Sequence, residues 1–208
     1  MSESPIREVP AGTGPPSSWI VEIRRRLASP PSKRLPPSDA RQAAVLIPLY
    51  VDAGELWTIL TRRSEELPTH KGQIAFPGGS LEEGEDAWDA ALRESHEEVG
   101  IEPKKVLSLG ELDEAETPSG FRIVPCVGAV PFPLETTPNE EIDEIFPVPI
   151  SAFANPKLVE DRAVSIDGHQ RILRIYHIGG RQVWGLTARI IQSLLERLGL
   201  TMPDPDLG

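Results

Sequence analysis

Four glutamates and an arginine carry the most informative chemistry in this chain, in the segment Gly79-Ser-Leu-Glu-Glu-Gly-Glu85-Asp-Ala-Trp-Asp-Ala-Ala-Leu-Arg93-Glu94-Ser-His-Glu97-Glu98-Val-Gly100-Ile101. On a helix turning about 100° per residue, with Ala87 as zero, Glu94, Glu97 and Glu98 fall at roughly −20°, −80° and +20° and share one face. Trp88, Ala91, Leu92, Ser95 and Val99 fall between roughly +40° and +140°, an apolar stripe able to pack on a sheet. Like charges at these spacings cost an isolated helix about 0.2 to 0.5 kcal/mol per pair, so helix propensity does not account for the cluster. A bound cation would. Carboxylate oxygens suit hard divalent ions such as Mg²⁺ or Mn²⁺, which take a few carboxylates together with waters and substrate phosphates. Ala87 and Ala90, beside the acidic face, are expected to leave room for ions and phosphate. On charge pattern alone, three glutamates at this spacing read more readily as a solvated acidic face; the residues around them reverse that reading.

The segment matches G-x5-E-x7-R-E-U-x-E-E-x-G-U, where U is a bulky apolar residue, and so resembles the Nudix box. Gly79, Glu85, Arg93, Glu94, Glu97, Glu98 and Gly100 occupy the fixed positions and Ile101 the last U. Ser95 stands at the first U, where a small residue allows close packing and its hydroxyl is expected to bond back to the helix backbone. The resemblance implies an α/β protein, an α/β/α sandwich with a mixed β-sheet, that hydrolyses a nucleoside diphosphate linked to another moiety. It also implies Mg²⁺ or Mn²⁺ held by Glu94, Glu97 and Glu98, the catalytic carboxylates, with Glu85 and Arg93 bracing the helix start. A diphosphate resists hydrolysis because of its charge, so cleavage requires neutralised phosphoryl oxygens and a positioned water.

Upstream, Ile59-Leu60-Thr61-Arg62-Arg63-Ser64 and Gly72-Gln73-Ile74-Ala75-Phe76-Pro77-Gly78-Gly79 resemble the coenzyme A pyrophosphatase signature L-L-T-x-R-S-x3-R-x3-G-x3-F-P-G-G. Ile59 replaces the first Leu, and Pro68 replaces the second Arg, removing a phosphate-binding cation for which His70 and Lys71 are the available substitutes. The resemblance makes Arg63, His70, Lys71, Gly78 and Gly79 the expected substrate contacts. Arg63 follows the strand-like run Leu56 to Thr61, where a guanidinium can grip phosphate in bidentate fashion. Thr117-Pro118-Ser119-Gly120-Phe121 and Trp184-Gly185-Leu186-Thr187-Ala188 resemble further segments of that subfamily, though a turn and a strand running into a capped helix explain them equally well. Asn139 to Glu144 offers several candidates for an additional carboxylate, with no ground for choosing among them.

The elements that must position these residues are legible in outline. Ala43 to Val51, Leu56 to Thr61, Val106 to Leu112, Arg122 to Val130 and Gln170 to Ile178 carry strand patterns. A final helix is expected over Thr187 to Leu198, with Thr187 as cap and Gly199 past its end. Residues 1–40 hold eight of the 22 prolines and read as an extension with a short helix: Trp19, Ile20, Ile23 and Leu27 on one face, Arg24, Arg25 and Arg26 opposite, Ser17 and Ser18 as caps, docked on a domain spanning 41–200. Residues 201–208 read as a tail.

At 208 residues with a net charge of −11, the chain has length for one ordinary domain and a charge that argues against nucleic acid as partner. The single Cys126 lies in an apolar run, so a buried strand thiol and a reducing, cytoplasmic location are expected. No run approaches the roughly 20 apolar residues of a membrane span. The expected partner is a small coenzyme A-like diphosphate, with a homodimer as the candidate oligomer. The main expectation is therefore a metal-dependent coenzyme A diphosphatase. The alternatives are the same chemistry on ADP-ribose, NADH or nucleoside triphosphates, and a Nudix module that binds nucleotide without turnover, which would go with a lost box carboxylate; none is lost here.

Overall fold

A strand covered on both faces must be apolar on both, and Ala43 to Val51 is such a run; it forms the middle of the molecule. The structure, a computed structural model, describes residues 18–66, 71–166 and 169–200. Strand β1 (Arg41–Asp52) runs parallel to β7 (Phe121–Ala129) and antiparallel to β2 (Glu55–Arg63). Pairing of β1 with β2 spans Leu49↔Thr58 to Asp52↔Glu55. Beyond it the two strands part, and β3 (Ile74–Ala75) and β4 (Gly78–Ser80) fill the gap, on β2 and β1 respectively. On the far edges β7 carries β5 (Leu107–Glu111) and β6 (Ala115–Glu116), and β2 carries β8 (Ile142–Pro149). One parallel pair among antiparallel neighbours makes this sheet mixed.

Helix α2 (Ala87–Val99) covers one face, where its Ala90, Ala91, Leu92 and Val99 join Ala44, Leu46, Ile59 and Cys126 in a buried cluster. The other face carries α1 (Ser18–Ala28), α3 (Ile150–Phe153) and α4 (Gly185–Leu198), with a small antiparallel sheet of β9 (Val159–Ile166), β10 (His169–Ile178) and β11 (Arg181–Val183). Ile23, Leu27, Ile47, Leu60, Tyr176, Ile191 and Leu194 meet in that second cluster. The layering is α/β/α.

Several expectations need correction. The acidic stretch Asn139 to Glu144 runs into a strand not anticipated from the sequence: β8 begins at Ile142. Pro147 and Pro149 hide this strand in the sequence, but it pairs with β2 along a single edge, where proline is tolerated. Helix α4 begins two residues before Thr187, and Trp184 occupies the cap position without a side-chain cap. The Thr187 hydroxyl donates instead to the Ile74 carbonyl at 2.9 Å, tying α4 to β3. Ala90 is not beside an open acidic face but fully buried in the core. Ser95 is fully buried as its wheel position requires, yet its hydroxyl has no hydrogen-bond partner among the described residues, so the expected bond to the helix backbone is not formed. Ser17, Pro68, His70 and the tail 201–208 lie outside the described residues.

The stretch before β1 is docked on the sheet. Arg24 donates to the Ser108 carbonyl at 2.8 Å, Arg26 to the Leu198 carbonyl that ends α4, and the buried Arg122 to the carbonyls of Leu35 and Pro36. The arginines of α1 are thus not simply a solvent face. Cys126 is fully buried on β7, and burial pushes its thiol well above the ordinary range. Among the described residues no helix is long and apolar enough to cross a membrane.

Candidate active site

Helix α2 is started by a reciprocal cap and stopped by a glycine. The Asp86 carboxylate accepts from the Asp89 N–H at 2.8 Å while Asp89 returns to the Asp86 N–H, a capping box in which two carboxylates also complement the positive helix end. Gly100 ends the helix at φ +76°, in the left-handed conformation glycine adopts without a Cβ penalty. Between these stops the last two turns present Glu94, Glu97 and Glu98 toward β4.

Glycine at 78 is required by how closely this strand approaches β1. A Cβ on Gly78, at φ +155°, would lie 2.3 Å from the Ala44 carbonyl oxygen and 2.6 Å from the Val45 Cα. One on Gly79 would lie 2.5 Å from the Glu94 carboxylate. With both positions bare, the Gly78 N–H reaches Glu98 Oε2 at 3.0 Å.

Arginines hold every box carboxylate. Arg93 grips Glu85 in bidentate fashion, Nε to Oε1 at 2.8 Å and Nη2 to Oε2 at 3.0 Å. The same guanidinium reaches the Ser80 carbonyl at 3.1 Å, Glu94 Oε1 at 2.8 Å and, more loosely, Glu97 Oε2 at 3.6 Å. Glu85 and Arg93 are thus paired, and through Arg93 the loop before α2 is tied to Glu94. Hydrogen bonds from Arg93 and the Glu82 N–H hold the Glu85 carboxyl below the usual carboxylate range, and the pairing raises Arg93 in turn.

Glu98 is only 5% exposed. Burial pushes its carboxyl up to about 7, against the Gly78 N–H and Arg63, which pull it down, and with Glu94 and Glu141 reinforcing the rise. Its second oxygen faces Arg63 Nη1 at 3.4 Å. Arg63 is the last residue of β2, at a β-bulge where the pairing with β8 slips between Arg62 and Arg63; a bulge of this kind re-aims a side chain and is common beside active sites. Its Nη2 bonds Glu141 Oε2 at 3.1 Å. This singles out one acidic residue between Asn139 and Glu144: Asp143 accepts from the Glu65 N–H and Glu144 pairs with Arg181, whereas Glu141 stands beside the box. Nothing in the sequence alone separated it from its neighbours.

Among the described residues no three carboxylate, imidazole or thiol groups converge as a ready-made metal cage. The arginines explain this, since Glu94 is drawn to Arg93 and Glu98 to Arg63. The donor set nonetheless fits a hard, hydrated cation. Glu94, Glu97 and Glu98 supply oxygens alone, Glu97 is half exposed, and Mg²⁺ keeps several waters rather than demanding an all-protein cage.

A cleft of about 380 Å³ opens where β1 and β2 part. Arg63, Gln73, Gly78, Gly79 and Ser80 form its polar end, and Ile123, Phe121, Trp184, Leu186 and Ile190 much of its apolar wall. The Thr117 to Phe121 segment is a turn, with Gly120 at φ +80° and the Thr117 hydroxyl accepting from the Phe121 N–H at 3.0 Å. The fold thus brings it and the Trp184 to Thr187 segment to the same cavity as Arg63 and the glycines. Arg41 stacks on Phe121, 4.0 Å from the ring centroid, a cation the sequence did not single out. Lys71 is exposed and does not line the cleft, and His70 lies outside the described residues.

Comparison with known proteins identifies the family. The NUDIX domain model matches residues 40–167. The protein named "Uncharacterized Nudix hydrolase NudL" of Pectobacterium atrosepticum is 39% identical over 188 residues, covering 86% of this chain and 95% of the relative. Its namesake in Photorhabdus laumondii is 38% identical over 184 residues, covering 88% and 97%. Of solved structures, the Nudix hydrolase RenU of M. smegmatis matches 54% of this chain and 72% of its own, at 23% identity and a TM-score of 0.47. With the family model matching more than half of its residues and every fixed charged and glycine position of the box present from Gly79 to Gly100, the chain belongs to the Nudix hydrolases.

Proposed function

We propose that this Nudix hydrolase is a coenzyme A diphosphatase, cleaving coenzyme A or its derivatives to adenosine 3′,5′-bisphosphate and 4′-phosphopantetheine. The observation that carries the reading is the cleft: it gathers Arg63, Gly78 and Gly79 with Phe121 and Trp184, residues from three separated segments that each resemble the coenzyme A pyrophosphatases. Such a cleft, cationic at one end and apolar and aromatic along one wall, suits a substrate with a diphosphate between a base and a largely uncharged arm.

In this reading Glu94, Glu97 and Glu98 hold Mg²⁺ or Mn²⁺ with its waters. When bound, the ion supplies charge neutralisation on the phosphoryl oxygens and an acidified water. The chain's own residues do the rest. The Gly78-Gly79 backbone lets a diphosphate approach the metal face closely, Arg63 meets a phosphate oxygen, and the Glu85–Arg93 pair keeps Glu94 and Glu97 aligned as charge shifts. Water adds to one phosphorus, the bridging oxygen leaves with the other, and the proton released goes to solvent or to a site carboxylate. The buried Cys126 takes no part, in keeping with a reducing cytoplasm.

The test is a substrate panel with Mg²⁺ and Mn²⁺: coenzyme A, dephospho-coenzyme A, ADP-ribose, NADH and nucleoside triphosphates. A charge-assisted contact to the 3′-phosphate is worth about 1.5 to 3 kcal/mol, so coenzyme A should exceed dephospho-coenzyme A by about tenfold or more in kcat/KM, at about 1.4 kcal/mol per decade. Equal hydrolysis of coenzyme A and ADP-ribose would leave only a general diphosphatase.

A further inference from the structure

The two arginines of the site are held very differently. Arg93 donates three short bonds to carboxylates, to Glu85 twice and to Glu94, at 2.8 to 3.0 Å, and a fourth to the Ser80 carbonyl at 3.1 Å. Arg63 makes two longer ones, at 3.1 Å to Glu141 and 3.4 Å to Glu98, against the 2.7 to 2.9 Å usual of charge-assisted bonds. Its Nε is buried with no hydrogen-bond partner among the described residues. Its side chain is 27% exposed and lines the cleft. A guanidinium satisfied on every side stays put; one with a vacant donor, two stretched contacts and an open cavity beside it can turn.

What Arg63 covers is the oxygen of Glu98 opposite the one bonded to Gly78. A buried carboxylate needs a positive partner, and the cation that faces this oxygen is Arg63, at 3.4 Å. We infer that Arg63 is an exchangeable counter-ion: it neutralises Glu98 and Glu141 until a divalent cation takes Glu98, and the released guanidinium then swings into the cleft to meet substrate phosphate. This rests on the metal face described above but not on coenzyme A as substrate. It makes Arg63 a substrate-binding residue that also couples the two ligands. The cation that displaces it also frees it, so metal binding prepares the phosphate site, and by linkage a phosphate that engages Arg63 tightens the metal.

The experiment measures Mn²⁺ binding to chelator-stripped protein, read from the free Mn²⁺ signal in electron paramagnetic resonance, for the parent, Arg63→Gln and Arg62→Gln. Arg62 is the control: it removes the same charge one residue away but pairs with Glu144, at 3.7 Å. If Arg63 competes for Glu98, Arg63→Gln should bind Mn²⁺ more tightly by about threefold or more, while Arg62→Gln stays within about twofold of the parent. In the parent, titration with diamagnetic Mg²⁺ should move the Arg63 Nε–H resonance, assigned by its loss in Arg63→Gln. Unchanged or weaker Mn²⁺ binding in Arg63→Gln, equal tightening in both variants, or an Arg63 resonance indifferent to Mg²⁺ would overturn the inference. None of these readouts depends on which diphosphate is hydrolysed.

Discussion

Charge and burial conflict most sharply at Glu98. A carboxyl whose folded value is about 7, against an ordinary 4.5, binds its proton more tightly folded than unfolded. The metal-free protein therefore loses stability as pH rises from about 4.5 through 7, by about 3 kcal/mol at about 1.4 kcal/mol for each tenfold change in proton affinity. Glu98→Gln removes that loss. With chelator present, its melting temperature should match or exceed the parent's at pH 8, and the gap should narrow toward pH 5; with Mg²⁺ present, turnover should fall by orders of magnitude. Glu97→Gln should lose turnover likewise, with little change in melting, because Glu97 is half exposed. A variant of either kind that turned over at the parent rate would remove that residue from the metal face. Ser95 presents the opposite case, a neutral polar group buried without a partner. Ser95→Ala should raise stability in urea by about 1 kcal/mol, since an unmet buried hydroxyl costs about 1 to 3. Ser95→Leu should lower it by about 1 to 3 kcal/mol through overpacking against the sheet. A stabilising Ser95→Leu would show that the helix sits more loosely on β1 and β7 than its burial implies.

At the level of elements, α2 determines where the carboxylates point, and its start is vulnerable. Asp86→Ala breaks the capping box and should cost about 1 kcal/mol. It should also lower kcat more than it raises KM, because it loosens the helix that carries Glu94 while leaving the cleft walls intact; unfolding curves and steady-state kinetics on the same variant check both. Helix α2, with β1, β2 and β7, was legible in the sequence because each carries an uninterrupted period, 3.6 or apolar on both faces, long enough to outvote its neighbours. The stretch from β8 to β11 was only partly so. Prolines masked β8, β9 is charged and largely exposed, and the cap of α4 was misread because the Thr187 hydroxyl bonds across to β3 rather than to its own helix. Within the site, residue types and spacing placed Glu94, Glu97 and Glu98 on one helix and anticipated the Glu85–Arg93 ion pair. Spacing says nothing of which partner a long side chain chooses, however, so the Arg63 contacts to Glu98 and Glu141 and the stacking of Arg41 on Phe121 needed the fold.

For the whole molecule, the unit that must fold is larger than the part the family model matches. Residues 40–167 contain the mixed sheet and α2 but omit α1, β10, β11 and α4. Those omitted elements supply Ile23, Leu27, Tyr176, Val183, Ile191, Leu194 and Leu195 to the core, each 5% exposed or less. They also supply Trp184, Leu186 and Ile190 to the cleft wall. Each large apolar side chain returned to water forfeits about 1.5 to 3 kcal/mol, so their combined loss, with that of the partners they leave uncovered, exceeds the roughly 5 to 15 kcal/mol by which a domain is stable. The chain truncated to 40–167 should show no cooperative thermal transition and should bind the apolar dye ANS as a loosely packed chain does. A cooperative transition in the 40–167 piece near the parent's temperature would mean that the face carrying α1 and α4 is an accessory layer, and that the sheet with α2 alone is the folding unit.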